Sequence, residues 1–150
     1  MSITKIEQNL ITKYYSIKSN KKIQKRIKLQ EHVFWVESIS DRIISLYNNT
    51  CDNIAIDRKI SDIETKSVKY ACLFHDIGKT VKWKIDGNDK HIEKGIEIIS
   101  STEFKKDFGE IIGTFPSEDE IDETLKYIMS AIQLHKSFCL DNKSYLYFLI

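Results

Sequence analysis

The chain has 150 residues and a mass of 17.6 kDa, with 41% hydrophobic, 30% charged and 11% aromatic side chains. That length fits a single domain with its own core, and the even spread of apolar residues excludes collagen-like, low-complexity and charge-rich disordered chains. Lys and Arg number 23 against 22 Asp and Glu, a formal charge of +1, so no global field argues for or against a polyanionic partner.

No apolar run approaches the roughly 18 residues that a membrane span needs, and the first residues lack the hydrophobic stretch of a signal peptide. Cys51, Cys72 and Cys139 are odd in number and scattered, with no CxxC pair. They read as reduced thiols, which predicts a cytoplasmic protein with no membrane partner.

Along the chain the hydrophobic period is helical. Ile3, Ile6, Leu10, Ile11 and Tyr14 make one apolar stripe, and Leu29, His32, Val36, Ile39, Ile43 and Leu46 make a second that Asn48-Asn49 breaks. Ile63, Tyr70, Ala71 and Phe74 predict a third helix, capped by Asp57 or Ser61 and stopping at Gly78. Asp86-Gly87 is a turn signal, and Asn88 or Asp89 is a candidate cap for a helix over 90–101. The stretch 104–115 is less periodic, with glycines at 109 and 113. Pro116-Ser117 opens a long helix, because Ser117 and Glu120 have capping-box spacing and acids fill the first turn. Tyr145–Ile150 is an apolar run that starts another. Alternating strand patterns are essentially absent, so the expected class is all-α.

The chemistry concentrates on the histidines, of which there are four. His32 lies in the second stripe. His75 is followed by Asp76 at the end of the third helix. His91 opens the fourth with Gly95 on its own face, which lets another backbone come close. His135 shares a face with Ile128, Ala131 and Ile132. Separately buried imidazoles each carry a desolvation cost of a few kcal/mol; convergence on a divalent metal would satisfy all of them together. Imidazole with carboxylate suits Mn, Fe, Co, Ni or Zn better than the oxygen-rich shells of dedicated Mg or Ca sites.

His32, followed by His75-Asp76 within Leu73-Phe74-His75-Asp76-Ile77-Gly78-Lys79, resembles the HD-domain metal-dependent phosphohydrolase superfamily. His91 with Gly95, and His135, resemble the extra histidines of its two-metal branch, which includes the HD-GYP cyclic-dinucleotide phosphodiesterases and the CRISPR-associated HD nucleases. The resemblance runs from about Leu29 to the C-terminus and implies one HD-like helical bundle over 1–150, with 1–20 as an added N-terminal helix. It implies His32, His75 and Asp76 as ligands of a first metal, Asp76 bridging to a second held by His91 and His135. The cofactor is then one or two divalent ions of Mn, Fe, Ni, Co, Zn or Mg, and Asp76 and Lys79 are the catalytic pair. Bridging is chemically reasonable, since one carboxylate spans ions about 3.5–4 Å apart and water between them ionises near neutral pH.

The chain departs from that pattern at two points. Lys136 stands where two-metal members often carry a second adjacent His, which makes it a candidate phosphate binder beside Lys79. The family's final Asp ligand normally follows an apolar run similar to Tyr145–Ile150, whereas the only acid after His135 here is Asp141. The expectation is a domain incomplete at its C-terminal end, with that Asp supplied by a further segment or a partner chain. Trp83, flanked by Lys82 and Lys84, is the candidate for stacking on a base; Trp35 is expected to pack in the core. Lys18, Lys21, Lys22, Lys25, Arg26 and Lys28 form an acid-free cationic run that suits either a solvated face or a phosphate-tracking surface. The expected function is hydrolysis of a nucleotide or nucleic-acid phosphate ester. The alternative is a non-catalytic HD-like nucleotide- or metal-binding regulatory module.

Overall fold

A computed structural model of the chain describes residues 4–15, 23–54, 59–111 and 117–134, with backbone alone at 23–28 and 110–111. The described residues form an all-α fold of α1 (Lys5–Tyr15), α2 (Ile23–Asn53), α3 (Asp62–Phe74), α4 (His91–Ile99), α5 (Thr102–Ile111) and α6 (Glu118–Leu134). A 3-10 turn at Ile77–Thr80 and a hairpin of β1 (Lys84–Ile85) and β2 (Asn88–Asp89) join α3 to α4. Among the described residues, no helix is long and apolar enough to cross a membrane.

The helix starts follow from capping chemistry. Ser61 Oγ accepts from Glu64 N at 3.3 Å while Ser61 N donates to Glu64 Oε2 at 2.8 Å, a reciprocal capping box for α3. Asp57, the other candidate cap, lies outside the described residues. Ser117 Oγ accepts from Glu120 N at 3.3 Å ahead of the three acids that open α6. Thr4 and Glu7 repeat the same exchange at α1, with Thr4 N donating to Glu7 Oε2 at 2.7 Å and Glu7 N donating to Thr4 Oγ1 at 3.2 Å.

Helix α3 is the axis of the molecule, packed between α2 and α6. Its Phe74 meets Phe104 and Phe108 of α5 edge-on, at ring-centroid distances of 5.1 and 6.4 Å, over a core that includes Leu10, Ile11, Ile99, Ile128 and Ile132. Each fully buried side chain of this size contributes roughly 1.5–3 kcal/mol. The weak periodicity of 104–115 hides helix α5, whose Phe104 and Phe108, one turn apart, are both completely buried.

Helix α2 departs from expectation. It continues through Asn48-Asn49 to Asn53, and it buries Val33, Glu37, Ile44 and Cys51 rather than the apolar stripe. Ile39, Ile43 and Leu46 are exposed, and Trp35 is exposed at 65% rather than packed in the core. The face turned inward carries Glu37 among its buried residues, and burial raises that carboxyl above its ordinary value with the Lys69 charge opposing the rise, so apolar spacing alone does not choose it.

The junction after α3 sets the site. A Cβ on Gly78 would lie 1.8 Å from the His91 carbonyl oxygen and 2.6 Å from Gly95 N, so only glycine lets this turn lie against α4. Gly95 thus admits a second backbone on the face of His91, as its spacing suggested. Gly78 matters for this approach, while α3 itself ends earlier, at Phe74.

Candidate metal centre

His75 and Asp76 follow the last residue of α3. His75 is its C-cap, with its N–H donating to the Ala71 carbonyl, and Asp76 leads into the 3-10 turn with φ −104° and ψ 12°. The backbone reverses there, so two consecutive side chains reach the same space. His75 Nδ1 lies 2.7 Å from the Cys72 carbonyl oxygen. That oxygen only accepts, so Nδ1 carries the proton and Nε2 carries the lone pair. His75 Nε2 stands 3.6 Å from Asp76 Oδ2.

His32 arrives from the N-terminal third of α2, with Nε2 3.8 Å from the same carboxylate oxygen and its ring centroid 5.4 Å from that of His75. One ligand atom from each of His32, His75 and Asp76 lies within 4.8 Å of the other two. Separations of 3.6 and 3.8 Å are too long for hydrogen bonds, whereas ligands about 2.0–2.2 Å from a shared ion naturally stand this far apart. Two imidazoles and a carboxylate, one imidazole already held in the ligating tautomer, fit a divalent transition metal. Burial grades across the group: the Asp76 side chain is 4% exposed, His75 14% and His32 45%. The site therefore has a closed floor and an open mouth on the α2 side. That gradient corrects the expectation of core-facing histidines, because His32 sits at the rim.

Lys79 returns to the pair through the 3-10 turn. Its Nζ is 2.7 Å from Asp76 Oδ2, and its N–H donates to the Asp76 carbonyl at 2.9 Å. Below the site, Tyr15 of α1 donates its hydroxyl to the Leu73 carbonyl at 2.7 Å, and burial together with the nearby Asp76 charge pushes that phenol well above its usual range. Burial likewise raises the Cys72 thiol, which keeps it a thiol and not a thiolate ligand.

His91 is buried at the start of α4 but is not part of the three-residue group. Its backbone N–H donates to Asp89 Oδ1 at 3.1 Å, and its Nδ1 contacts the same oxygen. A carboxylate accepts only, so this contact puts a proton on Nδ1 of His91 as well. The contact exists because Asp86 at φ 50° and Gly87 at φ 79° form a two-residue hairpin turn that returns Asp89 to the start of the helix. Asp89 thus does more than cap the helix, and its position two residues before a histidine does not by itself mark it as that histidine's partner. Trp83 closes the other side, its ring centroid 5.9 Å from His91 and the Lys84 ammonium 5.1 Å from its own ring. His135, Lys136 and Asp141 lie outside the described residues, as do Lys18, Lys21 and Lys22 of the cationic run; the side chains of Lys25, Arg26 and Lys28 are likewise not described.

Comparison of the chain with protein-family models, with characterised proteins and with solved structures returns no significant match. The chemistry of the site rests on these residues alone.

Proposed function

We propose that the chain is an HD-type metal-dependent phosphohydrolase that cleaves a phosphomonoester or phosphodiester of a nucleotide or nucleic acid. The observation that carries this reading is the approach of His32, His75 and Asp76 ligand atoms to within 4.8 Å of one another, from elements far apart in the chain. In this reading His32, His75 and Asp76 hold one divalent ion, with His91 and His135 for a second, and a cytoplasmic setting keeps the thiols reduced. When bound, such an ion supplies a water that ionises near neutral pH and a Lewis acid for the phosphoryl oxygen.

The protein's own groups do the rest. The Cys72 carbonyl keeps the His75 proton on Nδ1, so Nε2 needs no tautomer change before it binds. Asp76, buried at the floor, provides the anionic ligand. Lys79 provides a point charge for a phosphate oxygen at the mouth. Trp83, half-buried beside His91, offers a ring face to a base.

The test is hydrolysis by the purified protein with Mn2+, Ni2+ or Co2+, assayed on nucleoside monophosphates, cyclic dinucleotides and single-stranded nucleic acid. Turnover that disappears in Asp76→Ala while the helical circular-dichroism signal persists supports the enzyme. Tight ligand binding without turnover on any of these substrates overturns it in favour of a regulatory binding module.

A further inference from the structure

Three groups address a single oxygen. Asp76 Oδ2 lies 2.7 Å from Lys79 Nζ, 3.6 Å from His75 Nε2 and 3.8 Å from His32 Nε2. The ammonium thus bonds the carboxylate oxygen that both imidazoles face, and it would compete there with a metal ion held by these three residues. Two cations cannot both approach one carboxylate oxygen closely without strong mutual repulsion in a partly dry site. An ion on Asp76 would therefore weaken the ammonium's hold on the carboxylate and favour its withdrawal.

Lys79 is built to withdraw. Its side chain is 33% exposed while that of Asp76 is 4% exposed, so the lysine lies towards solvent and the carboxylate does not. The backbone beneath is locked, with Lys79 N–H on the Asp76 carbonyl at 2.9 Å and Thr80 Oγ1 on the Ile77 carbonyl at 2.7 Å. Movement therefore falls to the flexible four-carbon stem, which swings the ammonium without disturbing the turn. His75 is held separately through Cys72 and does not move with it.

We infer, on the basis of the metal centre proposed above, that Lys79 is a metal-released phosphate-binding arm. Without the ion, its ammonium neutralises Asp76. With the ion on Oδ2, the ammonium turns to the mouth of the site and binds a phosphate oxygen. Two consequences follow. Lys79 weakens the intrinsic affinity for metal, and it makes phosphate binding conditional on metal, so the order is metal first and phosphate second.

Calorimetric titration of the full chain with Mn2+, and with inorganic phosphate in the presence and absence of Mn2+, tests this on the wild type, Lys79→Gln and Lys82→Gln. Lys82→Gln removes the same charge from the next exposed lysine along the chain. Lys79→Gln is expected to bind Mn2+ about tenfold more tightly, as loss of a charge-assisted competitor requires, while Lys82→Gln changes affinity less than about twofold at physiological salt. Wild type is expected to bind phosphate only with Mn2+, and Lys79→Gln to lose that binding. Equal Mn2+ affinity in wild type and Lys79→Gln, or phosphate binding indifferent to Mn2+, overturns the arm and leaves the metal centre standing. Absence of Mn2+ binding in all three proteins overturns the centre itself. Lys79→Met, which keeps most of the stem and drops the charge, repeats the comparison should Lys79→Gln fail to fold.

Discussion

Glu7 and Asp76 are both buried carboxylates facing a lysine ammonium, and their surroundings differ in a way that separates a clamp from a reactive site. Around Glu7 every group closes in. Lys69 Nζ is 2.9 Å from both carboxylate oxygens, Tyr70 donates to one at 2.7 Å, and Thr4 N donates to the other at 2.7 Å. Lys69 is itself buried, so the network ties α1 to α3 with no path for exchange. Around Asp76 the lysine is one-third exposed and two imidazoles stand off beyond hydrogen-bonding distance. Saturated short contacts fix a structure. Convergent long ones leave room for a further atom.

The largest expected effect comes from treating the two lysines alike. Lys69→Ala leaves Glu7 buried with its main partner gone and should cost about 3–5 kcal/mol. Lys79→Ala should cost less, about 1–3 kcal/mol, because Asp76 is buried but the ammonium's place is one-third open to replacement water. Urea unfolding of both variants checks this; equal losses would erase the distinction. Gly78→Ala should cost about 3 kcal/mol through collision with the α4 backbone. It should also abolish metal binding, since the same turn carries Asp76 and Lys79. A stable Gly78→Ala protein would show that the close approach does not exist.

A smaller effect lies in pH. Burial alone would raise the Glu7 carboxyl, but Lys69, the Thr4 N–H and Tyr70 outweigh it and hold the group below its ordinary 4.5. Its contribution to stability is thus present above about pH 4.5 and lost as pH falls through the depressed value. Glu37 runs the opposite way: burial raises it, with Lys69 opposing. Its contribution is full below about pH 4.5 and declines as pH rises through the elevated value. Glu37→Gln should therefore be more stable than wild type at pH 7, by less than about 1 kcal/mol, with the gain vanishing near pH 4. Thermal unfolding across that range measures it, and a constant difference at all pH values would contradict the assignment.

Short-range chemistry was legible in the sequence. The Ser61/Glu64 and Ser117/Glu120 caps, the Asp86-Gly87 turn, the helix that leads into His75-Asp76 and the small residue at Gly95 each follow from neighbours within a few positions. Features decided across the fold were not. Apolar spacing along α2 suggested the wrong buried face, because the face turned to α3 is set by packing across the fold and includes the buried Glu37. Trp35 follows that face into solvent. Helix α5 buries only one narrow aromatic turn, too little for a strong period. Asp89 reaches His91 only because a hairpin folds it back. His32 with His75-Asp76 was recognised from residue type and order, while the exposure of His32 at the rim emerged only from the fold.

Cobalt(II) titration followed by visible absorption tests the central claim most directly, because nitrogen–oxygen coordination gives the ion a distinct spectrum. At least one Co2+ per chain should bind with such a spectrum, and it should be lost in each of His32→Ala, His75→Ala and Asp76→Ala while helicity is retained. Unchanged stoichiometry and spectrum in all three variants would contradict a shared metal centre at these residues.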